Sequence, residues 1–140
     1  MRDEVEQSLG QGDEIPEMDV SDIVIPGVDA ELGCTLCGGE LDIFVSALWS
    51  FVINIPVTIE KLRTVSEETL SQYLTIVHGL KGSCASIGAE DVRKKAYDLE
   101  MKSKAGNLDA VLTLNKALIE EVEHLIKDIQ AWFNKKNIRL

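Results

Sequence analysis

Histidine and cysteine are scarce in this chain: His78 and His124 are the only two of the first, and Cys34, Cys37 and Cys84 the only three of the second, among 140 residues. Cys34-Thr-Leu-Cys37 has the spacing of half a zinc site, but Cys84 and the two histidines supply no second close pair to complete it. The cysteines are read as core thiols, and no metal site is expected. With an odd cysteine count and no basic start, apolar run and small-residue cleavage site, the expected location is a reducing compartment, the cytoplasm. Positive charge is also short. With 14 Lys and Arg against 24 Asp and Glu, the net charge of -10 argues against a nucleic-acid or anionic-membrane surface. There is no Walker-type phosphate loop and no glycine-rich nucleotide loop, so no ATP site is expected. No alternating strand pattern of useful length occurs, and no internal repeat. The one long uncharged run, Ile43 to Ile59, is shorter than the roughly 20 residues a membrane span needs. It is interrupted by Ser46, Ser50, Asn54, Pro56 and Thr58, and Asp42 and Glu60 bracket it.

What is present is helical periodicity. Apolar residues Leu70, Tyr73, Val77, Leu80, Cys84 and Ile87 follow the three-and-four spacing of a buried stripe from Ser66 onward. Val92, Ala96 and Leu99 continue it in a helix from Asp91 to about Lys104, which Gly106-Asn107 ends. From Leu108 to Phe133, Val111, Leu114, Leu118, Val122, Leu125, Ile129 and Trp132 form a long seam. The uncharged run carries Phe44, Leu48, Phe51, Ile55 and Ile59 on one stripe and Val45, Trp49, Val52 and Ile53 on a second. The second stripe either packs under the N-terminal segment or helps to form a partner-binding patch. Pro56 should kink or break that helix. Short links predict an all-α fold, an antiparallel up-down four-helix bundle with a short N-terminal helix or extended strap. Ten acidic residues face only Arg2 in the first thirty-one positions, which also hold Pro16 and Pro26. Residues 1–24 are therefore expected as a flexible tail or linker and 25–140 as the domain. Val20, Ile23, Val24 and Ile25 are apolar enough for Asp19 to Ile25 to pack as a strap.

Two glycines stand inside the helical pattern around His78, in the run Val77-His78-Gly79-Leu80-Lys81-Gly82-Ser83. Each costs roughly 1 kcal/mol against Ala in a helix interior, so bare backbone must be wanted there. At about 100° per residue His78 points well away from the buried stripe. Its face carries Ser71, Leu74, Thr75, Lys81, Gly82 and Ala85, a mostly small surface suited to docking. Lys81, three residues on, lies beside the ring. A lone surface histidine, such as His124, is an ordinary solvated side chain; the joint pattern of His, Lys, Gly and the later Gly88-Ala89 suggests a phosphohistidine site.

Gly88 is a natural helix stop, and Glu90-Asp91 put negative charge at the start of the next helix, where the dipole favours it. If these helices form a hairpin, His78 lies about 15 Å before the turn and Glu100 about 18 Å after it, at 1.5 Å per residue. The two side chains are then roughly level. A carboxylate accepting the Nδ1 proton would leave Nε2 free to attack phosphorus. On spacing alone the alternative is a simply solvated Glu100, and Tyr97, one turn earlier, is a weaker candidate for the same neighbourhood.

Residues from about Ile25 to Phe133 resemble the histidine phosphotransfer (HPt) domains of multistep bacterial phosphorelays. The resemblance is carried by His78-Gly-Leu-Lys81-Gly82-Ser83, by Gly88-Ala89 and by Leu99-Glu100, with Ile25-Pro26-Gly27-Val28-Asp29 and Gly38-Gly39 as a lead-in. It implies that His78 accepts and donates a phosphoryl group, that Lys81 steadies it and that Glu100 holds the ring, with Gly79, Gly82 and Ser83 around the phosphate. It implies receiver domains of response regulators and of a hybrid histidine kinase as partners, docking over Ser71, Leu74, Thr75 and Ala85. The chain would then be a monomeric carrier with no cofactor of its own, Mg²⁺ being supplied by the receiver. Cys84 stands where many members have Ser or Ala. Two other readings stay open: an adaptor that binds a receiver or kinase without phosphate transfer, and a domain phosphorylated directly by a kinase domain.

Overall fold

The computed structural model describes residues 17–139. All regular structure among them is helical: a 3-10 turn at Val20–Asp22, then α1 (Ala30–Leu36), α2 (Leu41–Leu62), α3 (Leu70–Ser86), α4 (Glu90–Lys104) and α5 (Leu108–Lys136). Of the acidic segment expected as a tail, residues 1–16 lie outside the described residues. Further on, Ile23 and Ile25 are buried, and Trp132 Nε1–H donates to the Asp22 carbonyl at 3.3 Å, laying this stretch against α5.

The apolar periodicity dictates which face of each helix turns inward. Tyr73, Val77, Leu80 and Cys84 of α3, Val92, Ala96 and Leu99 of α4, and Val111, Leu118, Val122, Leu125, Ile129 and Trp132 of α5 are all buried. Packing runs from α3 to α4, α4 to α5, α5 to α2 and α2 to α3, so each long helix has two long neighbours around one core. Ser66 to Thr69 form a turn, with Ser66 N–H donating to Thr69 Oγ1 at 2.9 Å, and α3 starts after it rather than at Ser66. α5 continues past Phe133 to Lys136, where Asn137 turns left-handed at φ +58°.

Gly88 fixes the α3–α4 hairpin. Its φ of +74° is a conformation that glycine adopts without a Cβ clash, and Ala89 N–H then closes back onto the Cys84 carbonyl at 2.9 Å. The Gly88 carbonyl accepts from Asp29 N–H at 2.9 Å, and a Cβ on Gly88 would stand 2.2 Å from the Asp29 carbonyl oxygen. Asp29 in turn caps α1 by accepting from Leu32 N–H. The lead-in segment is thereby tied to the turn that sets the register between α3 and α4.

Two features of α2 differ from simple expectation. The helix runs unbroken through Pro56. Proline removes one bond to the preceding turn, but its ring is on the exposed face, while Phe51, Ile55, Ile59 and Leu62 anchor the helix in the core on both sides. The second stripe is mostly absorbed by the fold: Val45 and Val52 are buried, and Trp49 meets Phe133 edge to face at 5.1 Å. Only Ile53 of that stripe stays largely exposed. By length and composition α2 would suffice to cross a membrane; its inner face is the core of this bundle.

Candidate functional site

Burial of Val77 and Leu80 sets the rotation of α3, and the residue between them in the helical turn is driven outward: the His78 side chain is 64% exposed. Burial of Ala96, Leu99 and Ser103 does the same for α4 and leaves Glu100 at the seam facing α3, with only 4% of its side chain exposed. The hairpin brings the two together. His78 Nδ1 lies 2.7 Å from Glu100 Oε2, and Lys81 Nζ lies 2.8 Å from Glu100 Oε1.

A buried carboxylate ordinarily resists ionisation. Here the Lys81 ammonium outweighs that cost, with His78 adding to it, and the Glu100 carboxyl is held below its ordinary value of 4.5. Glu100 is therefore an acceptor only, so the hydrogen bond is donated by Nδ1–H of His78. In the neutral ring that fixes the tautomer and leaves the lone pair on Nε2. Glu100 Oε1 meets the Lys81 ammonium in a close ion pair at 2.8 Å.

Gly79 and Gly82 are exposed beside His78, and a Cβ on either would meet nothing within 4 Å. On the same helix Ser71 and Thr75 are exposed, and Leu74, Ser83 and Ala85 are half-buried. Cys84 faces inward, its thiol pushed up to about 12 by burial, which keeps it from acting as a nucleophile. His124 lies on α5, with Asp128 at 3.7 Å. Among the described residues no group of three or more His, Cys, Asp or Glu side chains is placed to hold a metal ion.

One residue of the cluster escaped the sequence reading. Lys104 Nζ is 3.8 Å from Glu100 Oε2, the oxygen that also accepts from His78. The signal was available, since Lys104 follows Glu100 by four residues and shares its face of α4. Tyr97, also on that face, lies under the Lys81 ammonium, 5.4 Å from ring centroid to Nζ.

No curated protein and no solved structure gives a significant match to the chain. The Hpt domain family model matches residues 46–132, from within α2 almost to the end of α5, and so includes His78, Lys81, Glu100 and Lys104. Domains of this family carry phosphoryl groups on a histidine in two-component phosphorelays, interact with receiver domains and have no ATP site of their own. Because that match spans well over half of the chain, the protein belongs to the Hpt domain family.

Proposed function

We propose that this chain takes a phosphoryl group on His78 from the aspartyl phosphate of one receiver domain and hands it to another. The observation that carries the reading is an exposed imidazole whose Nδ1–H is held at 2.7 Å by a buried carboxylate, so that Nε2 alone faces outward. In the transfer the Nε2 lone pair forms a bond to phosphorus as the P–O bond to the donor aspartate breaks, and the aspartate leaves as a carboxylate. The ring keeps its Nδ1 proton and becomes a phosphoimidazolium, whose charge faces Glu100. Lys81 then turns from Glu100 Oε1 to the non-bridging oxygens. The Mg²⁺ of the reaction belongs to the receiver, and the chain supplies only nucleophile, orientation and positive charge.

Exposure serves this chemistry, because the partner must bring the rest of the active site to His78. The receiver approaches over Ser71, Leu74, Thr75 and Ala85, where Gly79, Gly82 and Ser83 keep the surface low. The scaffold is an antiparallel up-down four-helix bundle of α2 to α5, spanning residues 25–140 with α1, and it works as a cytoplasmic monomer.

The test is transfer of labelled phosphate from a phosphorylated receiver to the purified chain, with His78→Gln as control and acid lability of the product as the signature of phosphohistidine. Acid-labile label on the wild type alone is the expected result. Label from an ATP-bound kinase domain but from no receiver would reassign the donor. Label from neither, with receiver binding intact, would make the chain an adaptor and end the carrier reading.

A further inference from the structure

The chain has few Phe, Trp and Tyr rings: Phe44, Phe51, Tyr73, Trp132 and Phe133 are buried and Trp49 is half-buried. Tyr97 is the most exposed of them, at 47%. At the rim of the site the ring forgoes close to half of its burial energy, and its charged neighbour offsets part of that loss. The Lys81 ammonium sits 5.4 Å from the ring centroid, inside the roughly 6 Å reach of a cation–π contact.

Lys81 is thus seated between two groups, the Tyr97 ring and Glu100 Oε1 at 2.8 Å. A ring face attracts a cation over a broad area, so the Tyr97 contact holds the ammonium without fixing its orientation. A lysine stem otherwise samples many rotamers, at a cost in entropy whenever it must be ordered. Here the side chain is only 23% exposed, and its ammonium shares the Glu100 carboxylate with His78.

We propose that Tyr97 is a positioning residue for phosphoryl transfer: its ring holds the Lys81 ammonium next to His78, ready for the oxygens of the incoming group. This rests on the carrier reading above. Glu100 orients the nucleophile, and Tyr97 acts one step removed, through Lys81.

The experiment uses two donors. Phosphoramidate needs no docking: Nε2 of His78 bonds to phosphorus as the P–N bond breaks and ammonia leaves, with the Nδ1 proton kept on the ring. A phosphorylated receiver adds the protein contact. With phosphoramidate, Tyr97→Leu is expected to take up phosphate roughly two- to five-fold more slowly, and Tyr97→Phe at the wild-type rate. In NMR spectra the Lys81 ε-methylene protons are expected upfield in wild type and Tyr97→Phe, and near their free-lysine position in Tyr97→Leu. Because Tyr97 is exposed, neither variant removes a core side chain. Tyr97→Leu at full rate with phosphoramidate overturns the proposal, and a defect seen only with the receiver would make Tyr97 a docking residue instead. Tyr97→Phe as slow as Tyr97→Leu also overturns it, since the hydroxyl would then be the working group. Wild-type protein unlabelled by either donor sinks the carrier reading, and this proposal with it, even with the upfield shift in place.

Discussion

His78 Nδ1 and Glu100 Oε2 stand 2.7 Å apart across two helices and 22 residues of sequence, and that contact decides which ring nitrogen can react. Replacing Glu100 tests it in two grades. Glu100→Gln keeps a carbonyl oxygen to accept from Nδ1–H but loses the charge that steadies a phosphoimidazolium; Glu100→Ala loses both. A hydrogen bond to a charged group contributes about 1.5–3 kcal/mol, so Glu100→Ala should slow phosphate uptake roughly tenfold or more, with Glu100→Gln between it and wild type. The check is the initial rate of label transfer. Equal rates for the two variants would mean that the neutral acceptor contributes nothing, whereas Glu100→Gln at the wild-type rate would mean that the charge contributes nothing.

The same carboxylate makes stability depend on pH, with a definite sign. The folded Glu100 carboxyl sits below its ordinary value of 4.5, Lys81 being the first cause, so in that region the unfolded chain binds more protons. The contribution is fully present above the unfolded value and is lost as pH falls through the folded one. Urea midpoints measured for wild type and Glu100→Gln from about pH 7 to about pH 3 should converge on acidification. Curves that stay parallel would show that Glu100 gains nothing from its neighbours.

The two lysines on Glu100 should not count equally. Lys81 is in close contact at 2.8 Å and mostly shielded, whereas Lys104 stands at 3.8 Å with 57% of its side chain exposed. Lys81→Ala should slow uptake roughly tenfold, in the range of a charge-assisted contact. For Lys104→Ala the loss should be no more than about fivefold, the ceiling for an exposed pair. Measuring both variants with one receiver decides the order, and a reversed order would make Lys104 the principal phosphate cation.

The inward stripes of α3, α4 and α5 were readable because a 3.6-residue period needs no knowledge of the partner helix. The level pairing of His78 with Glu100 was readable too, since Gly88 marks the turn and both arms rise at the same rate. The fate of Trp49 was not: whether it packs or stays exposed depends on Phe133, more than eighty residues later, reaching it. Pro56 does not break α2, because its cost is local while the anchoring by Phe51, Ile55 and Ile59 is tertiary. Lys104 was passed over because a lysine four residues after a glutamate is an ordinary surface pair. Only the burial of Glu100 turns it into part of a charged cluster.

Two glycine-to-alanine changes separate the needs of the fold from those of the partner. Gly88→Ala forces a Cβ onto a backbone at φ +74° and to within 2.2 Å of the Asp29 carbonyl oxygen, and backbone on both sides leaves nothing flexible to yield. The strain and the broken α1 contact should lower unfolding free energy by about 2 kcal/mol or more. Gly82→Ala meets nothing within 4 Å and sits inside α3, so helix propensity alone predicts a gain of up to about 1 kcal/mol. A helix that forgoes this gain one turn from an exposed histidine keeps bare backbone for another reason. If that reason is the approach of a receiver, the added methyl should slow transfer from the receiver and leave uptake from phosphoramidate unchanged. Urea unfolding and the two-donor assay on one preparation give both numbers. A more stable Gly82→Ala protein that takes phosphate from the receiver at the wild-type rate would show that the bare surface is not needed for docking.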